Sequence, residues 1–169
     1  MGINEQKELA YERLRKLATY RLFSASDFFN APLKVFANHE MAGYVDGSFA
    51  TKLTVQYNLF GGSVITLGTK RHEAIAKGVE DLSVIGCFAL TELGFGNNAI
   101  EMQTVATYEH KTREFVINSP TIFSQKYWIT NGALHSNYAV VFAQLVIDGK
   151  NEGIHTFLVK IREPNGTLS

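Results

Sequence analysis

The sequence predicts an α+β protein, with an N-terminal helical segment followed by an antiparallel β-barrel-like middle domain. Two observations carry this. Before residue 83 the apolar positions recur at three- and four-residue steps, and after it they gather into short β-branched and aromatic runs. Helices that precede strands, rather than alternate with them, favour a segregated α+β layout over a βαβ sheet. No internal repeat or low-complexity linker intervenes. Residues 1–82 are therefore expected as a helical portion and 83–169 as a β-domain, joined by a tight connection.

The first helix is drawn by Leu9, Ala10, Leu14, Leu17 and Ala18, with Glu8, Glu12, Arg13 and Arg15 on its other side. Asn30 before Ala31-Pro32 reads as the cap and first turn of a short second helix. Asp46-Gly47-Ser48 opens a longer one carrying Phe49, Leu53, Val55, Leu59 and Phe60. The pair Gly61-Gly62 falls inside it. Glycine there costs roughly 1 kcal/mol against alanine, so a close helix crossing or a break is expected. Thr69 reads as the N-cap of a helix over 70–77 that Gly78 ends.

Strands are expected over 84–90, 101–108, 115–118, 122–128, 138–146 and 154–161. The segments 109–112, 118–120 and 148–153 between them are rich in turn residues.

Composition excludes several classes of function. Apolar residues make up 46% of the 169, with 12 Phe and 7 Tyr, which is enough for a packed core and argues against disorder. Zero formal net charge with scattered Lys and Arg argues against nucleic acid or an anionic membrane as the main partner. The one cysteine, Cys87, allows no internal disulfide. No apolar run reaches the length of a membrane span, Met1 to Lys7 is too polar for a secretory signal, and the last residues are not a Ser-Lys-Leu type tripeptide. The five histidines and Cys87 show no metal-site spacing, and no nucleophile elbow is present.

Two segments carry the candidate chemistry, 86–98 (GCFALTELGFGNN) and 126–132 (KYWITNG). The first contains a formal G-x-G-x-x-A match, Gly94 to Ala99, but a strand-like stretch follows where a dinucleotide site needs a helix. A Rossmann site is rejected on that ground, and no Walker pattern exists. Taken alone, the glycines read as a turn requiring positive φ. Trp128 has two readings, a core tryptophan or an aromatic plane facing a flat ring system. Thr91 and Thr130 read either as plain strand ends or as hydroxyl donors to such a ring. Glu92 reads as a turn-holding carboxylate, and His135 as structural.

The two segments, with Leu59 to His72, Thr104 to Tyr108, Glu114 to Pro120, Val141 to Leu145 and Gly153 to Phe157, resemble the acyl-CoA oxidases of the acyl-CoA dehydrogenase superfamily. The Phe115 to Pro120 and Thr91-Glu-Leu-Gly94 pieces resemble oxidases, whereas Trp128 to Gly132 looks like the dehydrogenase form of that motif. The resemblance implies an FAD enzyme that oxidises fatty acyl-CoA to trans-2-enoyl-CoA and passes electrons to oxygen, giving hydrogen peroxide in peroxisomal β-oxidation. It implies FAD binding by Thr91, Leu93, Gly94, Trp128 and Thr130, an acyl-CoA contact at Asn97, and a homodimer in the complete form. The family's Gly-His-Gly-Ser-Asn is here Gly94-Phe-Gly-Asn-Asn98. The family's large C-terminal helical region, with the glutamate that takes the α-proton, has no counterpart up to Ser169. The chain is thus expected to be a truncated form without turnover of its own. A dehydrogenase fragment and a non-catalytic binding or dimerising module are the alternatives.

Overall fold

The computed structural model describes residues 1–22, 24 and 26–169. Helices come first: α1 (Ile3–Thr19), α2 (Asp27–Asn30), α3 (Pro32–Val45), α4 (Gly47–Leu53), α5 (Gly62–Leu67) and α6 (Glu73–Asp81). A π-helical stretch, Thr54–Gly61, joins α4 to α5 without a break. The strands follow: β1 (Gly86–Ala89), β2 (Val105–Glu109), β3 (Glu114–Asn118), β4 (Tyr138–Ile147) and β5 (Lys150–Lys160).

The helical periodicity translates directly into burial. Ala10 and Leu14, four residues apart on α1, are both fully buried. Asp46 caps α4 by accepting from the Ser48 amide at 3.0 Å. Proline sets the start of α3, where Ala31 rather than Asn30 is the cap and Asn30 closes α2. Thr69 caps only a 3₁₀ turn, Lys70–His72. Gly78 lies inside α6, which ends instead at Leu82 with φ +60°. The glycine pair has the first of its two expected reasons: a Cβ on Gly61 would stand 2.8 Å from Val79 Cγ1 of α6, so the helices cross where only hydrogen fits.

The wide π turn places Gln56 in the interior. Fully buried, it donates from Nε2 to the Val84 carbonyl (2.8 Å) and the Val79 carbonyl (3.3 Å) and accepts from the Gly86 amide at 2.9 Å. One side chain therefore satisfies main-chain groups of α6, the connection and β1 together. The core is shared in the same way: Leu53, Phe60, Val64 and Val79 of the helical half meet Val140, Phe142 and Leu158 of the sheet.

Antiparallel pairing holds for β2–β3 and β4–β5, but β1 and β2 both run parallel to β4. The described strands form an open sheet. β5 covers one edge of β4 along its length. The other edge takes β1 at Tyr138 to Val141, then β2 at Gln144 to Val146. So β1 and β2 are successive stretches along one line, and residues 90–104 leave the sheet between them and return. The strand expected over 122–128 is instead a 3₁₀ turn, Ile122–Ser124, with a single bridge residue at Lys126. Its main chain bonds instead to residues 91–94 of that excursion, so its β propensity is spent outside the sheet.

Candidate functional site

The excursion at 90–104 and the segment 121–127 lie side by side, joined by main-chain bonds. Tyr127 N–H donates to the Thr91 carbonyl (3.0 Å), Leu93 N–H to the Gln125 carbonyl (2.9 Å) and Gly94 N–H to the Phe123 carbonyl (2.8 Å). The ladder brings Thr91 against Tyr127 and Trp128, two regions separate in sequence. It also spends the Leu93 and Gly94 amides, which are therefore not free donors. The two glycines serve different ends. A Cβ on Gly94 would lie 2.6 Å from Phe123 Cβ, whereas Gly96 turns the chain at φ +55°.

Glu92 is the anchor. Its side chain is 1% exposed, and its carboxylate accepts from the Gln103 amide (2.8 Å), the Thr104 amide (2.9 Å) and Lys126 Nζ (3.1 Å). Lys126 also donates to the Leu90 carbonyl at 3.0 Å. The start of the excursion, its end and the facing segment are thus tied at one point. Burial pushes the Glu92 pKa up, but the bonds from Gln103, Thr104 and Lys126 outweigh it and leave the pKa below its ordinary value. The turn-holding role expected of Glu92 is what the geometry contains. The role of Lys126 depends on this fold: Glu92 lies 34 residues away in sequence, and no neighbour of Lys126 announces the pairing.

Trp128 stands immediately beyond the ladder, 85% exposed and at φ +61°. The core-tryptophan reading is excluded. A bulky residue held in the left-handed region costs on the order of 1–3 kcal/mol and collects at ligand-binding sites. Thr91 and Thr130 are half-buried, and neither hydroxyl bonds to another described residue. Asn97, in the turn after Gly96, is exposed. Its carbonyl accepts from the Ala99 amide at 2.9 Å, and its side chain bonds to no other described residue.

Behind Trp128 the loop through Ser136 is closed on Asn131. This residue has φ +71°, and its carbonyl accepts from the His135 and Ser136 amides. Arg162, just beyond β5, donates to the carbonyls of Gly132, Ala133 and Ser136. From the opposite side Lys52 of α4 reaches Asn131 Oδ1 at 2.7 Å and His135 Nδ1 at 2.9 Å. A cavity of about 520 Å³ lies against this loop, with Thr130, Leu134 and His135 on one wall and Ile3, Ala10 and Lys52 on the other. Sequence reasoning missed Lys52, Asn131 and Arg162 and gave His135 only a structural part. A lysine between Phe49 and Leu53 on a buried helix face was the one available signal.

Residues 87–169 match the family described as Acyl-CoA dehydrogenase, middle domain. The chain is 41% identical over 170 residues to acyl-coenzyme A oxidase 3, peroxisomal, of Arabidopsis thaliana, covering 98% of this chain and 25% of that protein. Among solved structures, acyl-CoA oxidase 1 from Yarrowia lipolytica superposes with a TM-score of 0.87 and 32% identity, over 100% of this chain and 24% of that one. Acyl-CoA oxidase-1 of Caenorhabditis elegans, complexed with FAD and ATP, superposes with a TM-score of 0.59 and 26% identity, over 89% of this chain and 28% of that one. The chain spans about a quarter of the length of the relatives it matches. In sequence and in fold, from the first helix to the last strand, it belongs to the acyl-CoA oxidases of the acyl-CoA dehydrogenase superfamily.

Proposed function

We propose that this chain forms the flavin- and acyl-CoA-facing wall of a peroxisomal acyl-CoA oxidase. The observation that carries the reading is Trp128: an indole 85% exposed on a left-handed backbone, set by a main-chain ladder beside the uncommitted Thr91 hydroxyl. A flat, polar, heteroaromatic group fits these residues, since it needs an aromatic plane on one side and hydrogen-bond donors at its rim. FAD is a group of this kind, and the C. elegans relative is complexed with FAD and ATP.

In this reading the Trp128 ring flanks the isoalloxazine, Thr91 donates to its carbonyl and nitrogen edge, and Thr130 bonds the ring from the loop behind Trp128. Leu93 and Gly94 line the rim through their bulk and close packing, their amides being committed to the ladder. Asn97 contacts the acyl-CoA. Bound there, FAD would supply the acceptor for the hydride lost from the β-carbon of a fatty acyl-CoA, with oxygen as the final oxidant. The residues of this chain orient and desolvate the ring, while the redox chemistry belongs to the cofactor. No carboxylate here matches the base that takes the α-proton. The one deeply buried carboxylate among the described residues, Glu92, is occupied by three donors. The 169 residues by themselves are therefore expected to bind without turnover, and the complete assembly is a homodimer. The oxidase reading is preferred to the dehydrogenase one because the curated relatives are oxidases.

Flavin retention tests it. The purified chain, mixed with excess FAD and desalted, is expected to keep visible flavin absorbance, and Thr130→Val or Trp128→Ala to lose it. A wild-type chain that keeps none, or variants that keep as much as wild type, would remove the flavin role from these residues.

A further inference from the structure

The loop that presents Trp128 and Thr130 has no sheet partner, yet its backbone holds two left-handed residues, Trp128 and Asn131. Something must hold them there. Among the described residues the Asn131 amide is gripped by its oxygen alone: Oδ1 accepts from Lys52 Nζ at 2.7 Å, while Nδ2 is buried with no partner there. The Lys52 bond therefore sets the orientation of this side chain. Lys52 comes from helix α4, 79 residues away in sequence, and is only 9% exposed. A buried ammonium needs satisfied donors, and its second acceptor is His135 Nδ1 at 2.9 Å.

That contact fixes the state of the imidazole. An ammonium only donates, so Nδ1 must accept, and the proton of the neutral ring sits on Nε2. From there it is donated to Glu8 Oε1 of α1 at 3.0 Å. Tyr11 of α1 stacks on the ring at 4.3 Å between centroids. The chain thus runs from Glu8 through His135 and Lys52 to Asn131, linking α1 and α4 to the loop. The charged groups acting on His135 are Lys52, Glu8 and Arg162, and Lys7 acts on Lys52.

We propose that Lys52 is a positioning residue for the flavin-facing loop, holding Asn131 so that Trp128 and Thr130 face the ring, and that protonation of His135 releases this hold. The proposal rests on the flavin reading of Trp128 and Thr130. Once protonated, His135 offers no lone pair to Lys52 and places a second positive charge 2.9 Å from it. Burial and then the Lys52 charge, partly opposed by Glu8, keep the His135 pKa below its ordinary value. The hold is therefore present at neutral pH and lost as pH falls below about 6.5.

Trp128 is the only tryptophan in the chain, so its emission anisotropy reports the loop with no flavin present. In the wild-type chain the anisotropy is expected to be high at about pH 7.5 and to fall in one transition with a midpoint below about 6.5. Lys52→Met should give the low value at every pH, with no transition. His135→Gln should keep the high value at every pH, because its amide oxygen still accepts from Lys52 and cannot titrate. Should Lys52→Met fail to fold, Asn131→Ala removes the gripped side chain while leaving Lys52 its His135 contact, and it should show the same low, flat profile. A folded Lys52→Met or Asn131→Ala with the wild-type anisotropy and transition would overturn the proposal.

A separate FAD titration at about pH 7.5 is expected to show Kd weakened about tenfold by Lys52→Met, roughly the effect of one lost charged hydrogen bond. If the wild-type chain shows the transition but binds no FAD, the hold stands and the flavin reading fails. If FAD binds equally well to Lys52→Met, the positioning role fails and the flavin reading stands.

Discussion

The two halves of the candidate site are held in place by different physics. Around Thr91 to Gly94 the chain is fixed by main-chain bonds to residues 123–127 and by one buried carboxylate, and Gly94 is pressed onto Phe123. From Trp128 to Ser136 no ladder exists. The loop there carries two non-glycine residues at positive φ, gripped by Lys52 on one side and Arg162 on the other. A rigid edge faces a side-chain-held loop. Such a division suits a site that must keep one rim fixed while the opposite face adjusts to a bound ring. It also means that the two halves should fail differently when disturbed.

The largest failure is expected at Glu92. Glu92→Ala leaves the Gln103 and Thr104 amides without their acceptor and the Lys126 ammonium without its counter-charge, with only the Leu90 carbonyl to bond. Removing one member of a buried ion pair costs about 3–5 kcal/mol. Urea unfolding should show a loss of that size, and a loss below about 1 kcal/mol would mean the pair behaves like an exposed one. The same carboxylate gives the rigid half an acid limit. Its folded pKa lies below the unfolded value, so its contribution is complete above the unfolded pKa and fades as pH falls through the folded one. Unfolding midpoints measured down a pH series should decline in that acid window for the wild-type chain. They should decline much less for Glu92→Gln, which no longer titrates.

The loop should respond with the opposite sign. Trp128 is exposed, so little packing is lost on its removal, while its φ of +61° is a conformation that glycine adopts freely. Trp128→Gly is expected to leave stability unchanged or raise it by up to about 1 kcal/mol, while FAD retention falls. Stability and flavin binding would then move apart at the loop, whereas at Glu92 they fall together. A Trp128→Gly chain that melts well below wild type would show that the indole packs in solution, and the contrast between the halves would narrow.

The same contrast explains what could be read before the structure. Segregated periodicity placed the helices before the strands, and the Asp46 cap is written in local residues. Glu92 and the close glycines sit within one short segment, so their roles were legible together. Lys52, Asn131, His135 and Arg162 were not. Their relation depends on α4, the loop and the end of β5 converging, and nothing at each position alone announces it. Gln56 was hidden similarly, since it is the π turn that carries it into the core beside β1. The strand expected over 122–128 failed for a related reason. Its β-forming residues are real, but their main chain pairs with residues 91–94, a stretch outside the sheet that lies some thirty residues away in sequence.

Asn97 offers the smallest expected effect on the fold and for that reason a sharp test of the rigid half. It is exposed like Trp128 but lies beyond the Gly96 turn, and the bond nearest to it uses its own carbonyl rather than its side chain. Gly96 N–H donates to the Glu92 carbonyl at 2.9 Å, so the turn is closed before the Asn97 side chain enters. Asn97→Ala should therefore change stability by no more than about 0.5 kcal/mol. If the amide serves only the ligand, the rise in unfolding temperature that a fatty acyl-CoA gives the FAD-loaded chain should shrink in the variant, with the ligand-free midpoint unmoved. A ligand-free midpoint that drops while the acyl-CoA increment is unchanged would make Asn97 part of the scaffold. The rigid edge would then extend one residue further than the main-chain bonds define it.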